Sequence, residues 1–312
     1  MKDCARISRD GLAFALCEAE DFQGVVAQLN DPRQSASDAQ RCCVALRTLL
    51  DAEVEEAALA EAQAAGTLDA LLRCAALYSS HAGVQAASCW ALNLYVHVAQ
   101  HTEVASFPHV FQAAVAALKA HPLDVNVQRA ALFALCNACC FGLEGTPSVP
   151  GLLDAIPHVL AALRAFPTDL RVQEFGCDSL ARMCGMDASV AEAVAADGAM
   201  GHFLKALNLD ITTDGTLVAA VNAIGAIALA PAALPQASAG INAVICALRS
   251  QDKNLFAEAA CKALGIHLRC FATRDRARHL SADFVINATV AKHNADAKVQ
   301  NAAKNALQDP VV

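Results

Sequence analysis

Val84-Gln85-Ala86-Ala87-Ser88-Cys89-Trp90-Ala91-Leu92 is echoed by Val127-Gln128-Arg129-Ala130-Ala131-Leu132-Phe133-Ala134-Leu135. The pattern returns as Val172-Gln173-Glu174-Phe175-Gly176-Cys177-Asp178-Ser179-Leu180 and again as Val299-Gln300-Asn301-Ala302-Ala303-Lys304-Asn305-Ala306-Leu307. Three weaker copies end at Leu46, Ile224 and Leu264. The closing residues of the seven copies, here termed anchors, are Leu46, Leu92, Leu135, Leu180, Ile224, Leu264 and Leu307, at spacings of 46, 43, 45, 44, 40 and 43 residues. Self-similarity at this period predicts stacked helical repeats, each burying its apolar face on the next.

The columns of the repeat have a physical reading. The residue before each anchor is Ala45, Ala91, Ala134, Ser179, Ala223, Ala263 or Ala306, and four before it stands Cys42, Ser88, Ala131, Gly176, Ala220, Ala260 or Ala303. Every one is small, and a row of small residues on one helix face lets neighbouring helices approach closely. Eight before the anchor stands Val84, Val127, Val172, Phe256 or Val299 in five copies. Each copy therefore reads as one amphipathic helix with a fixed inner face. Ahead of it comes a shorter apolar helix introduced by glycine, as at Gly66, Gly198 and Gly240, where glycine suits a sharp turn. Polar turns are expected at 210–215, 250–254 and 293–297.

The order of glycine, short apolar helix, turn and Val-Gln-x-x-small-x-aromatic-Ala-Leu resembles the armadillo repeat, most closely at Trp90-Ala91-Leu92 and Phe133-Ala134-Leu135-Cys136-Asn137. The resemblance extends over nearly the whole chain. It implies an all-α, right-handed α-solenoid of about seven repeats, with a two-helix HEAT-like solenoid as the alternative. Residues 1–21 are expected to form an N-terminal capping helix and residues 22–312 the repeat domain. The last copy, carrying Lys298, Gln300, Asn301, Lys304 and Asn305, is expected to close the far end with a polar face.

The resemblance also implies a function. Stacked third helices in this family line a concave groove that binds an extended partner segment, so a non-catalytic adaptor for a partner protein or peptide is expected. The alternative is a structural subunit of a large cytoplasmic or cytoskeletal assembly. Groove positions fall six and two before the anchor and two after it, one stripe on the helix. The candidate partner-binding residues are Trp90, Leu94, Arg129, Phe133, Asn137, Glu174, Asp178, Arg182, Asn222 and Lys262. Trp90 is the single tryptophan, and an accessible Trp beside Phe133 has hot-spot character.

Composition agrees with a folded helical chain: 312 residues, 56% hydrophobic and 17% charged, rich in the strong helix formers Ala and Leu. The net charge of −8 argues against nucleic acid, whose binders gain affinity by neutralising phosphates with a basic surplus. Leu217 to Leu234 carries no charge, but Asn222, Pro231 and its place in the repeat mark it as buried helix rather than a membrane span. Met1-Lys2-Asp3-Cys4 starts no apolar signal run, so the 14 cysteines are expected as reduced thiols and the protein as cytoplasmic.

No catalytic residue, cofactor or metal site is expected. Cys136-x-x-Cys139-Cys140 has ligand-like spacing without a second pair, and His97 and His101 stand one turn apart without the glutamate of a metalloprotease helix. Cys43, Cys89, Cys177 and Cys261 share the position three before their anchors, which marks them, with Cys42, as small core residues. Arg269, Arg274, Arg276, Arg278 and His279 form a basic cluster that would suit an acidic or phosphorylated segment.

Overall fold

The structure is a computed structural model that describes residues 21–51, 56–99, 107–142, 151–207, 214–227, 230–250 and 253–308. The proposed capping helix over residues 1–21 lies outside them, apart from Asp21. The fold is all-α, with no strand among the described residues. The chain divides into two compact units, with the boundary between Pro150 and Gly151.

In the first unit the helices are α1 (Phe22–Leu29), α2 (Ala36–Asp51), α3 (Glu56–Ala64), α4 (Thr67–Leu77), α5 (Ala82–Val98), α6 (Phe107–Ala120) and α7 (Val125–Gly142). The long helices α2, α5 and α7 pack in succession, with α4 and α6 laid against α5 and α7. The second unit holds α8 (Leu152–Ala165), α9 (Leu170–Met186), α10 (Ala188–Ala196), α11 (Met200–Leu207) and α12 (Asp214–Ala226). A 3-10 turn (Pro231–Gln236) follows, then α13 (Ala237–Ser250), α14 (Asn254–Arg269), α15 (Phe271–His279), α16 (Ala282–Lys292) and α17 (Ala297–Leu307). Here the long helices α9, α12, α14 and α17 pack in succession.

Each repeat copy is one long helix, and most run a turn or more past the anchor. The small columns are buried throughout, as are the anchors Leu46, Leu92, Leu135, Leu180, Ile224 and Leu264. Leu307, in the last described helix, is 37% exposed. Cys42, Cys43, Cys89, Cys177 and Cys261 are all buried and in no disulfide. Burial holds Cys42 and Cys89 up at about 12 and Cys261 at about 11, so these thiols stay protonated and unreactive near neutrality.

The repeated Val-Gln pair builds the turn between short and long helix. Three residues before the valine, His81, Asp124, Asp169 or Asp296 caps the long helix by accepting a hydrogen bond from the valine N–H. The glutamine then reaches back across the turn. Gln128 Nε2 donates to Leu118 O and His121 O, both at 3.0 Å, and Gln173 Nε2 donates to Leu163 O and Phe166 O at the same distance. Gln85 and Gln300 make the same pair of bonds, to Ala75 and Tyr78 and to Val290 and His293. Carbonyls at the end of a helix have no intrahelical donor, and one buried amide supplies two of them. Gln300 was expected only as part of a polar outer face, and it is a turn clamp instead.

The residue opening this turn also ties repeats together. Tyr78 Oη donates to Gln34 O at 2.8 Å, His121 Nε2 to Ser79 O at 2.8 Å, and His293 Nδ1 to Asn254 Oδ1 at 2.7 Å.

Gly66, Gly151 and Gly198 have φ of 71°, 91° and 76°, the left-handed conformation that suits the sharp entry to a short helix. Ser281 takes the same conformation, φ 61°, ahead of α16. Gly240 does not match the expected turn role. It lies inside α13, where a Cβ would meet Ile224 Cγ2 at 3.0 Å and Met200 Cε at 3.2 Å, so its work is close helix packing.

Candidate partner-binding surface

The stripe predicted on the long helices is the face that the packing leaves accessible. On α5, Ala86, Trp90 and Leu94 are half-buried between fully buried neighbours, and so are Arg129, Phe133 and Asn137 on α7. Periodicity explains this. The small columns face the core, and the stripe six and two before the anchor and two after it turns toward the rim of the buried arc.

In the first unit the structure brings several of these side chains together. Trp90 and Phe133 meet edge to face, with ring centroids 5.6 Å apart and planes at 78°. The Arg47 guanidinium lies over the indole, 5.1 Å from its centroid. Asn137 Nδ2 donates to Asn93 Oδ1 at 2.8 Å. The surface thus combines aromatic area with a cation and amide groups, a composition suited to peptide recognition.

In the second unit the stripe is ionic. Asp178 and Arg182 pair at 2.9 Å on α9, and Glu258 and Lys262 pair at 2.6 Å on α14. Glu174 lies 3.5 Å from Arg171 and rests against the N-terminal turn of α12, where a Cβ on Gly215 would come within 2.6 Å of its Cδ. Burial pushes the Glu174 carboxyl above its ordinary range, opposed by Arg171 and, more weakly, aided by Asp178. Asn222 on α12 is half-buried and Lys262 is exposed.

The column one past the anchor escaped the sequence reading. Arg47 and Asn93 occupy it in the first unit and touch Trp90 and Asn137 on the next long helix. Gly225 and Gly265 occupy it in the second, where a Cβ would lie 3.1 Å from Ala263 Cα and 2.6 Å from Ala306 Cα. The signal was present in the register: this column reads Arg47, Asn93, Cys136, Ala181, Gly225, Gly265 and Gln308, narrowing to glycine only at the fifth and sixth copies.

The chemistry candidates fare differently. Among the described residues no cluster of His, Cys, Asp and Glu is arranged to hold a metal ion, and no helix is long and apolar enough to cross a membrane. Cys136 and Cys139 are buried and His97 is exposed, while His101 lies outside the described residues. Two members of the basic cluster serve helix ends: Arg269 Nη1 donates to Asn305 O at 2.6 Å and Arg274 Nε to Leu268 O at 3.1 Å. Arg276, Arg278 and His279 remain exposed.

No family model and no curated protein sequence matches the chain. Among solved structures it is similar to an engineered protein, with TM-score 0.53 and 18% identity over 92% of this chain and 95% of that one. A second engineered protein gives TM-score 0.49 and 16% identity over 92% of this chain and 97% of that one. The first likeness supports the all-α fold and carries no statement about activity.

Proposed function

We propose that the chain is a non-catalytic binding module, an α-solenoid of armadillo-type repeats that takes up an extended protein segment along its long-helix faces in the cytoplasm. The observation that carries this reading is the Arg47–Trp90–Phe133 group, a half-buried aromatic pair roofed by a cation on helices otherwise buried along their small columns. Partly exposed Trp beside Arg is the composition of a binding hot spot rather than of a core. The Gln clamps and the N-cap series support a repeat architecture, because they recur at one register in each unit.

The single tryptophan makes a direct test available. Partners gathered by proximity labelling are reduced to synthetic peptides and titrated into the purified chain while Trp90 emission is followed. A bound segment that covers the indole shifts its emission to shorter wavelength, and Phe133→Ala weakens that binding about 30-fold, the effect of losing a ~2 kcal/mol hot spot. A partner that binds without moving Trp90 emission, and equally well to Phe133→Ala, refutes this surface.

A further inference from the structure

A cleft of about 600 Å³ opens within the second unit, its lining including Leu163, Arg164, Thr168, His202, Leu204 and Lys205. That volume is in the range of small-ligand sites, ~300–1,000 Å³. None of the long-helix stripe residues lines it. Arg164 comes from the last turn of α8 and Lys205 from the last turn of α11. A cation at a helix C-terminus is ordinary, since the macrodipole favours it. Here two helix ends deliver theirs to one cleft, together with an imidazole.

These charges have little to occupy them. Among the described residues neither Arg164 nor Lys205 is in an ion pair. Arg164 Nη2 makes one long bond, 3.4 Å, to the main-chain oxygen of Asp197. Both side chains are exposed, and His202, which lines the same cleft, is half-buried. Two cations and an imidazole lining one cleft give it a positive potential that attracts an anion.

We infer that this cleft binds a phosphate group, with Arg164 supplying a forked pair of donors, Lys205 a point charge, His202 a third donor and Thr168 a hydroxyl. Arginine matches phosphate geometry bidentately, and a dianion meets the charge of the two fixed cations. Burial first, then Arg164 and Lys205, hold His202 below the ordinary imidazole range. A phosphate among the three reverses the electrostatic part of that effect and favours the protonated ring. A phosphorylated side chain and a small phosphorylated molecule present the same group. The inference stands independently of the long-helix surface.

The test uses the full chain. The His202 ring is titrated by NMR with and without inorganic phosphate, and phosphate affinity is measured for the parent, Arg164→Gln and Lys205→Gln. The inference requires the His202 midpoint to rise in phosphate, and each variant to bind phosphate about 10-fold or more weakly, the scale of one charge-assisted hydrogen bond. Both replaced side chains are exposed, so melting stays at the parent value, and the two variants check each other. A phosphoserine peptide that binds tighter than phosphate, while its unphosphorylated form does not bind, identifies a phosphorylated chain as the source. Phosphate binding as tightly as the phosphopeptide identifies a small molecule. Either result upholds the site. A His202 midpoint that phosphate leaves in place, or equal affinity across parent and variants, overturns it.

Discussion

Trp90 and Phe133 sit one repeat apart at the same position of their helices and meet edge to face, 5.6 Å between centroids. This arrangement places the positive edge of one ring on the negative face of the other. The contact also couples two successive long helices, so the pair contributes to folding. A double-mutant cycle of Trp90→Ala and Phe133→Ala in denaturant unfolding is expected to give a coupling of about 1 kcal/mol. Arg47→Ala should cost less, about 0.5–1 kcal/mol, because its cation–π contact is exposed. Zero coupling between the aromatics would contradict the geometry.

The glutamine clamp makes a second expectation. Gln128→Ala leaves Leu118 O and His121 O without their donor and should lower unfolding free energy by about 2 kcal/mol or more. Gln300→Ala should cost less, because Gln300 is half-buried whereas Gln128 is buried. Gln128→Glu is the sharper probe. An ionised carboxylate donates nothing, so this near-isosteric change should destabilise at least as much as alanine at neutral pH. Stability close to the parent would show that the clamp is dispensable.

Two glycines on long helices should respond to alanine with opposite sign. A Cβ on Gly265 would lie 2.6 Å from Ala306 Cα, backbone that cannot step aside, so Gly265→Ala should lose about 1–3 kcal/mol despite better helix propensity. Gly185 in α9 has nothing within 4 Å of its Cβ position, and Gly185→Ala should gain about 0.5 kcal/mol. Thermal melting of the two variants side by side reads the difference. Like signs would contradict the close contact between α14 and α17.

His267 sets an acid limb on stability. The ring is fully buried on α14, neither nitrogen has a hydrogen-bond partner among the described residues, and burial pulls it down to about 4. The folded chain holds it neutral, while the unfolded chain protonates it below about 6.5. The unfolded state therefore binds the extra proton between those values, and stability falls as pH drops from about 6.5 toward about 4. The full effect is about 3 kcal/mol at the lower end. His267→Leu should flatten this limb and leave neutral stability unchanged or raised, since it removes an unpaired buried polar group. An acid slope identical in parent and variant would place its origin elsewhere.

The all-α fold, the position of each long helix and its buried side were legible in the sequence. Leu92, Ala91, Ser88 and Val84 recur together, and a helix converts that spacing into one face without reference to any partner. The fate of Cys43, Cys89 and Cys177 followed from the same register. Tertiary structure alone decided the contacts that cross between elements. Gln128 finds its carbonyls seven and ten residues back only because the turn folds α6 against α7. Gly66 and Gly240 look alike in sequence, yet one bends the chain and the other admits a neighbouring helix, since φ and the approach of Ile224 are set by packing. Arg47 reaches Trp90, and Arg164 shares a cleft with Lys205, across intervals that no local period encodes. A repeat fixes which side of each helix is buried, because burial is a property of one helix and its periodicity. Which side chains meet depends on the stagger between helices, and that is settled only when their surfaces interlock.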